Sequence, residues 1–376
     1  MTAVTPATAS DALRTRAEID KIARVLGEAP ADLAFLGRLP AADLAAFRER
    51  ALAARHDSGP ELLDRIAAAT RLVPAAVAAA ISEKALGPRL AAAVAGRLDP
   101  ARAAEIISRL PAAFTAESCA HLDPRRIADI VARLDEDLLV DVAVTVAARA
   151  DHVTMGRFVG RLPAPALARI LDRIDDASLL SAGHYVDRLD ALTPVVASLD
   201  DARLTRVVRT AAVEPALWPA ALSVAELVDT AGRTRIATLA ARLDPAELDA
   251  VVRVTDAEGL WGALLPLVAL LPPAERAVVA ELPALRDAAV LGRVVRTVLG
   301  LGLWAEFLPL ADALPEEARR ALAGQVGALE EAELDALARE VAARDLWEQV
   351  LPLVALMDDA AQTRILALPA FAEHTP

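Results

Sequence analysis

The sequence predicts an all-α chain whose short helices stack into a solenoid, and three observations predict it. The four tryptophans, Trp218, Trp261, Trp304 and Trp347, stand 43 residues apart. A Leu-Asp-Pro or Leu-Asp-Asp step recurs ahead of stretches whose apolar residues fall at helical spacing. The apolar fraction of 55% contains only 3% aromatic residues, so it is mostly Ala, Leu and Val, small and aliphatic side chains that suit closely packed helices.

The text around each tryptophan also repeats. Leu260-Trp261 leads to Leu265-Pro266-Leu267, Leu303-Trp304 to Leu308-Pro309-Leu310, and Leu346-Trp347 to Leu351-Pro352-Leu353. The copy at Leu217-Trp218 keeps Leu222 but has Ser223 in place of the proline. A capped apolar stretch precedes each tryptophan segment, as in Leu243-Asp244-Pro245 into Val251-Val252, so each unit holds about three short helices. Periods of roughly 40–47 residues belong to HEAT and armadillo-like solenoids, in which a unit buries its apolar face only against its neighbours. The tryptophans are expected to fill the seam between units rather than to line a groove. Pro266, Pro309 and Pro352 are expected to kink or restart the helix, since an interior proline loses a hydrogen bond and crowds the preceding turn.

The cap recurs upstream at Leu98-Asp99-Pro100, Leu122-Asp123-Pro124, Leu162-Pro163 and Leu199-Asp200-Asp201. Aspartate before proline suits a helix start: the carboxylate accepts from orphan N–H groups, and proline at the first helical position lacks an N–H that would go unused. In Asp244-Pro245-Ala246-Glu247 the glutamate completes a capping box. No alternating apolar and polar run demands a sheet. The chain divides by pattern into a disordered tail at 1–9, a helical segment at 10–97, short capped repeats at 98–206 and tryptophan repeats at 207–376. A soft boundary is expected near His56-Asp57-Ser58-Gly59-Pro60 and an irregularity at Ser181-Ala182-Gly183-His184.

Composition excludes several classes of function. The 53 acidic and 40 basic residues leave a net charge of −13, which repels a phosphate backbone, and no aromatic platform for single strands is visible. Nucleic acid is therefore not an expected partner. Mean hydropathy is high at +0.38, yet the uncharged run from Gly259 to Pro273 is shorter than the roughly 18–20 residues a bilayer helix needs, and Pro266 interrupts it. With no signal-peptide pattern at the N-terminus, a cytoplasmic location is expected. Cys119 is the single cysteine, so neither an intrachain disulfide nor a thiolate zinc cluster is available. Lys21 and Lys84 are the only lysines, a bias that resembles GC-rich codon usage.

The run Leu98-Asp99-Pro100-Ala101-Arg102-Ala103-Ala104-Glu105-Ile106-Ile107-Ser108-Arg109-Leu110-Pro111, with Leu122-Asp123-Pro124 to Leu134-Asp135, resembles the cytoplasmic N-terminal domain of MgtE magnesium transporters. That family repeats short capped helices in a superhelix, and related helical repeats occur in the flagellar switch protein FliG. The resemblance covers about residues 98–175, with weaker echoes towards the C-terminus. It implies a fold and not transport, because nothing here matches the transporter's CBS or channel domains. In that family the N domain senses magnesium through acidic residues at its CBS contact, and no metal ligand is carried over.

Candidate chemistry is sparse. Glu117, Cys119 and His121 lie close in sequence, but positions two apart on a helix face different ways, and Cys119 reads as a buried structural residue. Asp151-His152 and Gly183-His184-Tyr185 each offer a histidine beside a proton partner, with no second convergent group. Acidic clusters at Asp135-Glu136-Asp137, Asp175-Asp176, Asp200-Asp201, Glu316-Glu317, Glu330-Glu331 and Asp358-Asp359 would suit weak Mg²⁺ binding or simply helix starts, and their positions favour capping. No HExxH spacing and no phosphate-binding glycine loop occurs. The expectation is a non-enzymatic helical-repeat protein, a scaffold or regulator for a protein partner, with no catalytic, cofactor-binding or metal-binding residue assigned and no cofactor. The alternatives are a Mg²⁺-sensing regulatory module acting peripherally on a membrane protein and, more weakly, an enzyme whose site is assembled from distant repeats.

Overall fold

The computed structural model describes residues 9–56 and 60–368. The expected tail at 1–9 thus lies outside the described residues except for Ala9, as do Asp57–Gly59 of the expected soft boundary. Every regular element among the described residues is helical. From Asp11 onward the chain forms two compact units, dividing between Ser198 and Leu199.

The first unit contains α1 (Ala9–Leu26), a 3₁₀ segment (Pro30–Arg38), α2 (Ala41–His56), α3 (Pro60–Thr70), α4 (Ala75–Ile81), a π-helical turn (Ser82–Leu86) and α5 (Gly87–Ala95). It continues through α6 (Pro100–Ile107), α7 (Ala112–Cys119), α8 (Ala128–Val131), α9 (Glu136–Ala148), α10 (His152–Phe158), α11 (Ala164–Arg173), α12 (Asp176–His184) and α13 (Leu192–Ser198). The second unit contains α14 (Asp201–Val213), α15 (Trp218–Leu227), α16 (Thr230–Ala240), α17 (Pro245–Ala257), α18 (Trp261–Ala269) and α19 (Pro273–Ala280). It ends with α20 (Ala288–Leu301), α21 (Trp304–Ala313), α22 (Glu316–Gly327), α23 (Glu331–Arg344), α24 (Trp347–Val354) and α25 (Asp359–Leu366). No described helix is long and apolar enough to cross a membrane.

Aspartates start many of these helices. Asp99, Asp135, Asp151, Asp175, Asp200, Asp244 and Asp358 each accept a backbone N–H of the first turn, an arrangement that stabilises a helix by about 1 kcal/mol. The capping box at Asp244 and Glu247 forms as its spacing predicts. Asp123 departs from the pattern. Its carboxylate accepts both the backbone N–H and the guanidinium of Arg125, at 3.1 and 3.0 Å, and this local clasp holds a turn, so α8 begins only at Ala128.

In the second unit the period is a three-helix repeat. The tryptophan helices start at Trp218, Trp261, Trp304 and Trp347, and the helices that follow them start at Thr230, Pro273, Glu316 and Asp359. Each tryptophan helix packs on the next, α15 on α18, α18 on α21 and α21 on α24. The indoles are core: Trp261 and Trp304 are 2% exposed. Of the two outcomes expected for Pro266, Pro309 and Pro352, a kink or a restart, the restart does not occur, for each lies inside its helix. Each proline and the residue four before it, whose carbonyl loses its partner, are both less buried than the core face, so water can satisfy that carbonyl.

Arginines join successive turns of the chain. Arg235 donates to the Leu199 carbonyl at 2.7 Å and Arg364 to that of Leu329 at 2.8 Å. In the first unit Arg157 donates to the Leu122 carbonyl at 2.8 Å and Arg102 to those of Thr70 and Val73. A guanidinium placed at the carbonyl-rich end of an earlier segment offsets both orphan acceptors and the negative pole of the helix.

Candidate functional site

The charged side chains of the first unit converge on α1. Lys21 Nζ lies 2.8 Å from Glu18 Oε1, one turn away, and 3.0 Å from Asp187 Oδ1 in the turn after α12. Arg48 of α2 completes a ring of alternating charge, with Nε 2.9 Å from Glu18 Oε2 and Nη2 2.8 Å from Asp187 Oδ1. Lys21, Arg48 and Glu18 are buried, at 2%, 4% and 9% exposure. Burial pushes the Asp187 carboxyl up, but Lys21 and Arg48 pull it down further, leaving it below the ordinary carboxylate value. Burial likewise depresses Arg48, and Asp187 with Glu18 more than restores it. The ring is a structural clamp that ties α1 and α2 to the end of α12.

Beside the clamp, the Tyr185 hydroxyl donates to Asp20 Oδ2 at 2.8 Å, and the His184 ring meets Tyr185 edge-on at a centroid distance of 5.0 Å. Burial, with Lys21 and Arg16 nearby, pulls His184 down to about 4. Burial and the Asp20 carboxylate push Tyr185 up. Burial raises the Asp20 carboxyl above its usual value despite the tyrosine hydrogen bond and Arg16.

Two clefts flank Arg24 at the end of α1. The larger, about 500 Å³, is lined by Arg24, Val25, Leu26 and Gly27 of the α1 terminus, Arg89 of α5, Ala116, Glu117, Ala120 and His121 at α7, Val146 and Arg149 at α9, and Asp151. The smaller, about 420 Å³, is lined by Asp20, Ala23, Arg24, Glu28, Pro30, Arg149, Ala150, Asp151, His152, Val153 and Tyr185. Both sizes fall in the range of small-molecule sites. Asp151 joins them: it caps α10 through the Thr154 N–H at 3.2 Å and accepts from Arg24.

The structure thus brings together residues that are separate in the sequence. Asp151, His152 and Tyr185 share the smaller cleft, while Glu117 and His121 line the larger one. Cys119 lines neither. It packs with Ala116, Val142 and Val146, and burial, with Asp151 nearby, pushes its thiol up to about 12. At neutral pH it is protonated and a poor nucleophile. The acidic clusters sit at helix starts, with Asp135, Asp175, Asp200 and Asp358 as caps and Glu316 and Glu317 in the first turn of α22. Among the described residues no three His, Cys, Asp or Glu side chains form a group that could hold a metal ion. Sequence reasoning missed Lys21, Arg48, Asp187, Asp20, Arg24 and Arg89. The rarity of lysine is the one signal the sequence offers for this group.

Comparison with protein-family models, with curated proteins and with solved structures finds no match to this chain.

Proposed function

We propose that this chain is a non-enzymatic helical-repeat protein of the cytoplasm, a solenoid that serves as a scaffold or regulator for a protein partner. The observation that carries the interaction reading is the concentration of exposed apolar side chains in the first unit. Phe35 is 66% exposed, Phe47 46%, Leu62 60% and Leu72 87%, and the 3₁₀ segment that carries Phe35 buries none of its residues. Contiguous exposed apolar surface is characteristic of sites that meet a partner, and these four large apolar side chains all fall within residues 35–72. The stacked tryptophan helices and the resemblance to the MgtE N-terminal domain support the solenoid. A protonated Cys119 thiol, a His184 ring that is neutral at physiological pH and a Tyr185 hydroxyl engaged by Asp20 support a binding role over catalysis.

The test is affinity capture with the full chain beside a Phe35→Ser, Phe47→Ser variant. The expected result is a reproducible protein partner retained by the parent chain and lost by the variant. Identical capture by both, or none by either, refutes the reading. Small-angle scattering of the same sample tests the architecture, since a solenoid scatters as an elongated particle and a globule of this mass does not.

A further inference from the structure

The larger cleft carries a second inference. In a chain with a net charge of −13, three guanidinium groups, from Arg24, Arg89 and Arg149, line this one concavity, brought there by three helices. Two carboxylates share the cleft, and neither saturates them. Asp151 is engaged in capping α10 and in accepting from the Thr154 hydroxyl at 2.8 Å, and it meets Arg24 through a single Nη2. Glu117 stands 3.8 Å from Arg149 Nη1, beyond hydrogen-bond length, while Arg149 Nη2 donates to the Ala113 carbonyl. Arg89 is exposed and has no hydrogen-bond or ion partner among the described residues.

The backbone that presents these arginines is irregular at two places. Arg89 follows the π-helical turn Ser82–Leu86 and Gly87, whose φ is +72°, and π-turns within helices are frequent at functional sites. Arg149 and Asp151 flank Ala150, a non-glycine residue at φ 53°, a conformation that costs an L-residue about 1–2 kcal/mol. The buried side chains of Val25, Ala116 and Val146 supply an apolar floor. A forked donor such as arginine matches phosphate or carboxylate oxygens in pairs.

We propose that this cleft binds a small organic polyanion, a phosphate or a polycarboxylate, through Arg24, Arg89 and Arg149, with the remainder of the ligand on the apolar floor. The site is independent of the exposed apolar side chains assigned to the protein partner, and either can fail without the other.

The experiment is isothermal titration calorimetry of the full chain with pyrophosphate and, separately, with citrate, at constant ionic strength set by sodium chloride. The expected result is saturable one-site heat for at least one anion at micromolar to millimolar concentration. Pyrophosphate alone identifies a phosphate ligand, citrate alone a polycarboxylate, and both show that charge decides. Arg89→Ala, which removes an exposed and unpartnered side chain, should leave the melting temperature unchanged without ligand and weaken binding at least about tenfold, the lower end of a charge-assisted contact. Arg253→Ala, in the second unit, should leave affinity unchanged. The proposal is overturned if neither anion gives saturable heat at millimolar concentration, or if Arg89→Ala and Arg149→Ala both bind like the parent chain.

Discussion

The ammonium group of Lys21 lies 3.0 Å from the carboxylate of Asp187, which is 166 residues further along the chain. The pair sits within a ring of two cations and two anions, so each charge has two partners and none is buried alone. The ring's effect on stability depends on that completeness. A buried ion pair as a whole adds little over an apolar replacement, whereas removal of one partner leaves an uncompensated charge.

Lys21→Met is therefore expected to destabilise the first unit by about 3–5 kcal/mol. Adding Glu18→Gln leaves Arg48 with the single anion Asp187, restores the balance of charge, and should recover part of that loss. Chemical unfolding followed by helical circular dichroism measures both. A single-variant loss of no more than about 0.5 kcal/mol, the range of an ordinary surface change, would show that the ring does not hold α1 in place.

His184 sets a pH dependence of definite sign. Its value falls from 6.5 to about 4 on folding because burial, with Lys21 and Arg16 nearby, disfavours the cation. The unfolded chain therefore takes up a proton that the folded chain refuses. Stability from this group is fully present above pH 6.5 and is lost as pH falls towards 4, by up to about 3 kcal/mol. Unfolding curves at about pH 7 and about pH 4.5 should show the loss, and His184→Phe should flatten the dependence. An equal slope in the variant would assign the acid sensitivity to other groups.

The tryptophan repeats differ in how they satisfy the indole N–H. Trp218 Nε1 donates to Thr255 Oγ1 at 2.8 Å, and Trp261 Nε1 to Asp256 Oδ1 at 3.0 Å. Trp304 Nε1 is buried with no acceptor among the described residues, which costs about 1–3 kcal/mol. Thr255 lies 37 residues after Trp218, and the same offset from Trp304 reaches the buried Val341. Val341→Thr should supply the missing acceptor and raise the unfolding midpoint. Val298→Thr, at the same offset from the already satisfied Trp261, should lower it, because there the hydroxyl is buried without need. If both variants lose the same stability, the repeat register does not place residue 341 at the indole.

The second unit was largely legible in the sequence because its organising contacts are periodic. Trp261 and Trp304 mark equivalent places, and Asp244 with Glu247 writes a helix start into four residues. The restart expected as one outcome at the prolines does not occur because Pro266 and Gly262 share the less buried side of α18, where a missing hydrogen bond is tolerated, and local propensity does not show this. Asp123 was misread for a related reason, since its spacing fits a cap but the side chain of Arg125 competes for it. The candidate site was hidden almost entirely. Arg24, Arg89 and Arg149 are ordinary exposed arginines until three helices bring them to one cleft, and Lys21 and Asp187 have no local signature that links them. Contacts across more than a hundred residues depend on how helices stack, and one sequence carries no record of that.

Asp345 offers a direct test of the repeat at a single backbone position. The residue two before each of the last three tryptophans ends a helix in the left-handed region, Gly259 and Gly302 at φ 67° and Asp345 at φ 53°. In each copy the N–H of the following leucine closes the helix: Leu260 to the Thr255 carbonyl at 2.8 Å, Leu303 to Val298 at 3.0 Å and Leu346 to Val341 at 3.0 Å. Glycine is the residue that adopts this conformation without a Cβ clash. Asp345→Gly should therefore stabilise the second unit by about 1 kcal/mol, the relief of the left-handed penalty less the added freedom of the unfolded chain. The reverse change, Gly302→Asp, should cost more than that gain, because a Cβ there would lie 3.3 Å from Glu340 Oε1 and bring a second carboxylate beside it. Tryptophan fluorescence during unfolding measures both, with Trp347 two residues from Asp345. If Asp345→Gly lowers the midpoint, the aspartate side chain makes a stabilising interaction in solution that outweighs its backbone strain, and the equivalence of the three helix ends is broken at the last repeat.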